Sequence, residues 1–160
     1  MIPKYVRQEL EGIERYHREH QTCVFCDMIQ QEIEEGKTRV VLENDDFIVF
    51  CPFVPRYAFE CWVMPKKHTS DFAAMEAREC DVLAITLREA LLRLKKCLSD
   101  PSYNYYLHNV PVNTEVGREF HWHIEIVPKL TKTTGFEWGT GFYVVPTSPE
   151  AAAAHLREVS

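Results

Sequence analysis

The sequence predicts an α+β domain: an antiparallel sheet of about five strands packed against one long helix, with added helices at both ends. Three observations carry this. Between Asp71 and Leu98, the residues Phe72, Met75, Leu83, Leu87, Ala90, Leu91, Leu94 and Leu98 recur at three- and four-residue spacings, the period of a helix with one apolar face. Short runs rich in β-branched and aromatic residues are separated by turn residues. The last run, Phe120-His121-Trp122-His123-Ile124-Glu125-Ile126, alternates throughout. In a strand His121, His123 and Glu125 then line one face, and Trp122, Ile124 and Ile126 the other.

Taken in order, Lys4 to His20 reads as a charged helix whose thin apolar stripe is Tyr5, Leu10, Ile13 and Tyr16. The pair Cys23-x-x-Cys26 follows as a knuckle, and Met28 to Glu35 as a short helix stopped by Gly36. Arg39–Glu43 and Phe47–Cys51 are strands joined by Asn44-Asp45-Asp46, a hairpin signal. Pro52 to Arg56 forms a loop, and Phe59–Met64 a third strand that ends at Pro65. The long helix stops at Ser99-Asp100-Pro101. Tyr103–Asn109 and Glu119–Val127 complete the sheet. Pro149-Glu150 opens a C-terminal helix with proline and an acid in its first turn, where both are favoured. With 160 residues and no internal linker, the chain forms one domain. It consists of an N-terminal helical extension (1–22), a core (23–145) and a C-terminal helical segment (146–160).

Composition narrows the function. A net charge of −6 argues against a general nucleic-acid binder, which carries a basic balance or stripe. No run nears the roughly 18 apolar residues of a membrane span, and Met1-Ile2-Pro3-Lys4 opens no signal-peptide hydrophobic region, so a cytoplasmic location is expected. Of the six cysteines, only Cys23 and Cys26 are close in sequence. The other four are scattered through strand and helix patterns, as buried thiols are, and do not suggest a disulfide framework.

A two-residue gap lets two thiolates grip one ion, so Cys23 and Cys26 are half of a tetrahedral metal site. Redox chemistry and coincidence are the rival readings. A thioredoxin-like pair opens a helix after a buried strand, and here a polar helix precedes it. His68, at the end of the third strand, and His121 complete a closed Cys₂His₂ set, which suits structural zinc. His108 is a reserve ligand. His123 sits roughly 6.5 Å from His121 along a strand and is free for other work. Its imidazole can attack phosphorus, or it can be a buried histidine satisfied by a carbonyl and paired with Glu125. Lys129 to Gly141 mixes lysines, threonines, three glycines, Phe136, Glu137 and Trp138, a composition that suits a sugar phosphate or an ordinary glycine-rich loop. Phe136, Glu137, Lys132 and Asn109 are the candidate substrate contacts.

The order of these motifs resembles that of the histidine-triad (HIT) superfamily. It is most similar to the C-terminal half of the galactose-1-phosphate uridylyltransferase family and its phosphorylase-like relatives, which carry two HIT-like halves in one chain. The matching residues span nearly the whole sequence: Cys23-Val-Phe-Cys26-Asp27, Pro52-Phe53, Arg56, Phe59-Glu60, Pro65-Lys-Lys-His68, Tyr103-Asn104, His121-Trp-His-Ile-Glu125, Gly135 to Gly141, and Pro149-Glu150. The resemblance implies a HIT-like fold and zinc on Cys23, Cys26, His68 and His121. It also implies a hexose contact by Glu137 and Phe136, often across a subunit interface. The activity implied is nucleotidyl transfer between sugar 1-phosphates through a nucleotidyl-histidine, which here would be His123. The implied partners are a nucleotide sugar and a sugar 1-phosphate, and either a homodimer or pairing with a second HIT-like half.

This chain departs from the family at the nucleophile, which the resemblance locates in the other half, in a His-Pro-His-x-Gln motif. Trp122 and Glu125 replace that Pro and Gln, and Gly117-Arg118-Glu119 replaces the Gly-Gln-Ser approach of single-domain hydrolases. A carboxylate at 125 would repel phosphate or draw a proton onto His123. Two further readings therefore stand beside the first. One is a single-domain HIT nucleotide hydrolase or transferase. The other is a non-catalytic sugar-phosphate-binding partner of a half that holds the nucleophile.

Overall fold

A computed structural model describes residues 2–111, 119–130, 132 and 134–159. Helix α1 (Lys4–His20) leads into α2 (Val24–Glu34), followed by strands β1 (Val40–Glu43), β2 (Phe47–Phe50) and β3 (Cys61–Pro65). A 3₁₀ turn (Phe72–Ala74) precedes the long helix α3 (Ala77–Cys97), and β4 (Tyr103–His108) and β5 (His123–Pro128) follow. The short helix α4 (Gly135–Thr140) and α5 (Pro149–Glu158) close the chain. All strand pairs are antiparallel, in the order β1-β2-β3-β5-β4, so β5 is inserted between β3 and the edge strand β4. The α+β expectation of five strands and one long helix is met.

Local chemistry sets the boundaries. Asn44 makes the β1–β2 hairpin, its side-chain oxygen accepting from the backbone N–H groups of Asp46 and Phe47. Helix α2 starts earlier than the expected Met28, with Cys23 in the N-cap position and Val24 its first helical residue. Gly36, at φ +79°, follows its end. The expected helix over 71–98 is broken at extended Met75. Glu76 and Glu79 then form a reciprocal capping box that restarts the chain as α3. Strand β5 begins at His123 and not at Glu119, because the Trp122 N–H bonds to the Thr69 carbonyl, outside the ladder. The glycine-rich loop contains α4, begun by a Thr134–Glu137 capping box and ended by Gly141 at φ +73°.

The core lies on both faces of the sheet. Trp122 packs against Phe47 and Phe72 on one face, and His123 packs against Phe25 and Trp62 on the other. All six residues of β5 are buried. Arg39 is a buried hub that bonds Glu32 of α2, Glu35 at the C-cap of that helix and Glu150 of α5. No described helix is long and apolar enough to cross a membrane.

Candidate functional site

The cysteine pair and two distant histidines converge where the N-terminus of α2 meets the ends of β3 and β5. One potential ligand atom from each of Cys23, Cys26, His68 and His121 lies within 4.8 Å of all the others. Cys26 Sγ is 3.3 Å from His68 Nδ1 and 3.5 Å from His121 Nδ1. His121 is fully buried, and its Nε2–H donates to the Pro65 carbonyl at 2.9 Å, which turns the Nδ1 lone pair toward the thiols. Hydrogen bonding from Cys26 holds the Cys23 thiol far below its usual range, with a further contribution from His121. The same bond pushes Cys26 up, so the pair shares one proton over one thiolate. These four residues are a group able to hold a metal ion.

His123 points the same way but into different surroundings. It is 1% exposed and lies between the ring of His108 (4.5 Å, 11° between planes) and that of Trp62 (5.2 Å, 24°). Its Nδ1–H donates to the His121 carbonyl at 3.1 Å, leaving Nε2 to face Glu9 and Glu125, each at 3.8 Å. His108 Nδ1 bonds Glu9 at 2.8 Å, and its buried Nε2 has no hydrogen-bond partner among the described residues. Burial pulls the His108 imidazole down, but Glu9 and Glu125 outweigh it and raise it. Glu9, His108 and His123 form a second group close enough to share one metal ion. Nothing local to α1 marks Glu9 for this role, since it reads as one acid among many on a charged helix. The signal available in sequence was His108, placed opposite His123 once β4 and β5 pair.

Glu125 is satisfied from the sheet side. It pairs with Arg56, whose Nη2 also donates to the Tyr106 hydroxyl at 2.8 Å. Burial works against ionisation of Glu125, but the His123 hydrogen bond and the Arg56 charge bring its carboxyl below the usual value. The repulsion that a carboxylate at 125 would exert is thereby largely neutralised.

The four candidate substrate contacts are spread out. The Asn109 side chain accepts from the Phe72 N–H at 2.8 Å and donates to the Val110 carbonyl, so it tethers the 3₁₀ turn. Lys132 is exposed. Phe136 is exposed at the start of α4, and Glu137 is partly exposed with its carboxylate fixed by the N–H groups of Thr134 and Val144. Glu137 borders a cavity of about 230 Å³ together with Arg56, Asn104, Tyr106 and Lys129. Gly117 and Arg118, which replace the first two residues of the Gly-Gln-Ser approach, lie outside the described residues.

Residues 9–160 match the family model described as galactose-1-phosphate uridyl transferase, C-terminal domain. The chain belongs to this uridyl transferase C-terminal domain family. Among members related to it, ADP-glucose phosphorylase of Arabidopsis thaliana is 36% identical over the whole chain, which covers 44% of that protein. The galactose-1-phosphate uridylyltransferase of Thermotoga maritima is 30% identical over 98% of the chain and 51% of that protein. The domain therefore spans about half the length of these relatives. A HIT-like protein of Mycoplasma genitalium, 31% identical, is covered over 92% of its length. The crystal structure of the Arabidopsis ADP-glucose phosphorylase with bound ADP-glucose superposes with a TM-score of 0.89 at 35% identity, covering all of this chain and 50% of that one. A zinc-bound histidine triad family protein from Mycobacterium smegmatis shares the fold (TM-score 0.61, 20% identity, 93% of its chain).

Proposed function

We propose that this chain is a zinc-bearing HIT-like domain of a nucleotidyltransferase acting on nucleotide sugars and sugar 1-phosphates, and that it binds substrate and pairs with a half that supplies the nucleophile. The observation carrying the division of labour is the enclosure of His123. In-line attack needs a nitrogen lone pair within about 3–3.5 Å of phosphorus on an accessible side. The His123 Nε2 faces two carboxylates at 3.8 Å beneath stacked rings. A phosphoryl group would have to displace Glu9 and Glu125 to reach it.

Zinc is the metal that suits the first group. Around a tetrahedral zinc, with Zn–S about 2.3 Å and Zn–N about 2.0 Å, sulfur and nitrogen stand roughly 3.5 Å apart. The observed separations of 3.3 and 3.5 Å fit that geometry. Four protein ligands close the coordination sphere, so the ion would lock α2 to the ends of β3 and β5 and leave no position for substrate. A structural neighbour of the same fold is zinc-bound. Glu137 and Phe136 are the sugar contacts in this reading. In the same reading the arm they begin, with Trp138 and Phe142 strongly exposed, reaches substrate or a partner. Pairing, as a homodimer or with a second HIT-like half, would use the edge strand β4, whose Tyr103, Tyr105 and Leu107 are exposed.

Intact-protein mass after incubation with UDP-glucose or ADP-glucose tests the proposal. The expected result is no adduct on the chain alone, and undiminished activity of a paired assembly that carries His123→Asn. A nucleotidyl adduct on the chain alone that disappears in His123→Asn would sink the division of labour and make His123 the nucleophile.

A further inference from the structure

Four of the cysteines belong to neither metal-binding group, and two of those four meet. Cys51 follows the last residue of β2, and Cys61 opens β3. Their sulfurs are 3.8 Å apart, and each residue is 1% exposed. The ladder sets this meeting. Phe47 pairs with Pro65 and Phe50 with Trp62, so the next position puts Cys51 opposite Cys61. The Cys51 N–H donates to the Arg39 carbonyl, away from β3. At the other end of the ladder the Lys66 N–H donates to the Asp46 carbonyl, and Pro65 has no N–H to give. The 47/65 and 51/61 positions are therefore the narrow, non-hydrogen-bonded type of antiparallel pair, with Cα atoms about 4.5 Å apart. A disulfide spans Cα separations of about 4.4–6.8 Å, so the strands need not move to form one. The sulfurs need only approach by roughly 2 Å, which side-chain rotation can supply.

The two thiols also close the base of the loop that carries Arg56. Inside that loop, buried Glu60 accepts from the N–H groups of Arg56 and Tyr57 and from the Trp62 indole. Phe59 is left at φ +61°, a conformation disfavoured for a bulky side chain. Its carbonyl accepts only a weak bond from the Cys61 S–H, at 3.5 Å. Contact with Cys51 and burial hold the Cys61 thiol well above its usual range, so it is protonated and slow to react while the fold is closed. The pair sits where the ladder ends, and strand ends open locally far more readily than strand centres. Such opening admits a small oxidant. Cys97, the last residue of α3, is near enough to act on Cys61 electrostatically and is the competing thiol.

We infer that Cys51 and Cys61 are a redox pair, which a peroxide closes into a disulfide tying β2 to β3 at the base of the Arg56 loop. One thiol gives up its proton, and its sulfur displaces hydroxide from hydrogen peroxide to become a sulfenic acid. The other sulfur attacks that sulfenic sulfur, the S–S bond forms, and the hydroxyl leaves as water. Two thiols and one peroxide thus give one disulfide and two waters. A dithiol reductant returns both electrons and reopens the pair. Once closed, a covalent tie replaces the weak S–H bond that Cys61 gives to Phe59.

Non-reducing peptide mapping tests this on the full chain, kept with zinc and treated with hydrogen peroxide. Trypsin cuts after Arg39, Arg56 and Lys66, so Cys51 and Cys61 fall on separate fragments, 40–56 and 57–66. These are expected as one linked species, about 2 Da lighter than their sum, until a reductant separates them. The linked species should be absent from Cys51→Ala. In the intact protein the bond is expected to raise the thermal midpoint by on the order of 5 °C, because it closes a short loop of the unfolded chain. Oxidation between Cys23 and Cys26 stays inside fragment 19–37 and is read apart from this. Fragments 40–56 and 57–66 that remain separate after peroxide overturn the inference. So does a link from 57–66 to the Cys97 fragment, 97–118, in place of 40–56. A linked protein that melts below the reduced one also overturns it, since the folded strands would then not accommodate the bond.

Discussion

His121 and His123 are two residues apart, yet each is committed to a different set of partners by the hydrogen bond its other ring nitrogen makes. His121 spends Nε2 on the Pro65 carbonyl and presents Nδ1 to Cys26. His123 spends Nδ1 on the His121 carbonyl and presents Nε2 to Glu9 and Glu125. Which nitrogen is free decides what each imidazole can bind, so the pair is not interchangeable. The first prediction follows from the His121 side. The chain is expected to bind one zinc ion by elemental analysis, and Cys23→Ser should lose it, because three remaining ligands no longer close the tetrahedron. Loss of the ion should also lower the thermal midpoint, since binding free energy at such a site is folding free energy. A folded, metal-free wild type, or full zinc retention in Cys23→Ser, would remove the assignment. The second prediction concerns Arg39, which is as buried as its partner Glu32. Replacing it by methionine leaves the Glu32 carboxylate enclosed without a counter-charge, at a cost of about 3–5 kcal/mol. Urea unfolding of Arg39→Met measures this, and a change below about 1 kcal/mol would show that the hub is not held by charge.

Glu43 does for two strands what Arg39 does for three elements. At the end of β1, it pairs with Lys37 and with Lys66, which follows β3. Lys37 first, then Lys66, hold its carboxyl below the ordinary value. A depressed carboxyl contributes stability above its unfolded value of about 4.3, and that contribution is lost as pH falls through the folded value. Unfolding compared at pH 5 and pH 3.5 should therefore show a steeper acid loss for the wild type than for Glu43→Gln, by up to about 1 kcal/mol because the cluster is partly exposed. Equal acid losses would refute it. The elements themselves show what a sequence can disclose. Helix α1 was legible because one buried face imposes a period of 3.6, and strand β5 because its two buried faces alternate ionisable with apolar residues. The start of α2 was not, because Cys23 supplies no side-chain cap to announce it. Helix α4 did carry its signal, Thr134-x-x-Glu137, but glycines on either side weighed the reading toward a loop. At the site, the Cys₂His₂ set was legible from residue type and spacing. The contact of Glu9 with His108, across 99 positions, was not, since only the packing of α1 against β4 creates it.

At the scale of the molecule, one edge of the sheet is unfinished. Among the described residues, strand β4 pairs with β5 on one side only, and on the face shared with α3 it shows Tyr103, Tyr105 and Leu107 at 42, 57 and 43% exposure. The groove between β4 and α3 is lined by Phe72, Met75, Leu83, Leu87 and Ile124, nearly all apolar. An open, six-residue edge beside such a groove is a pairing hazard unless something covers it. Relatives of about twice this chain's length match it over half of themselves, and the pairing proposed above would put a second domain of similar size beside β4. In the chain alone, a second copy can take that place, with β4 meeting its own symmetry mate antiparallel and extending the sheet. Leu107→Glu puts a charge at the centre of that surface without touching the metal ligands. Sedimentation velocity is expected to show the wild type pairing in a concentration-dependent manner and Leu107→Glu as a monomer, with the two proteins equal in zinc content. If the wild type stays monomeric at every concentration, or if Leu107→Glu pairs as well as the wild type, the β4 edge is not the surface through which this domain finds its other half.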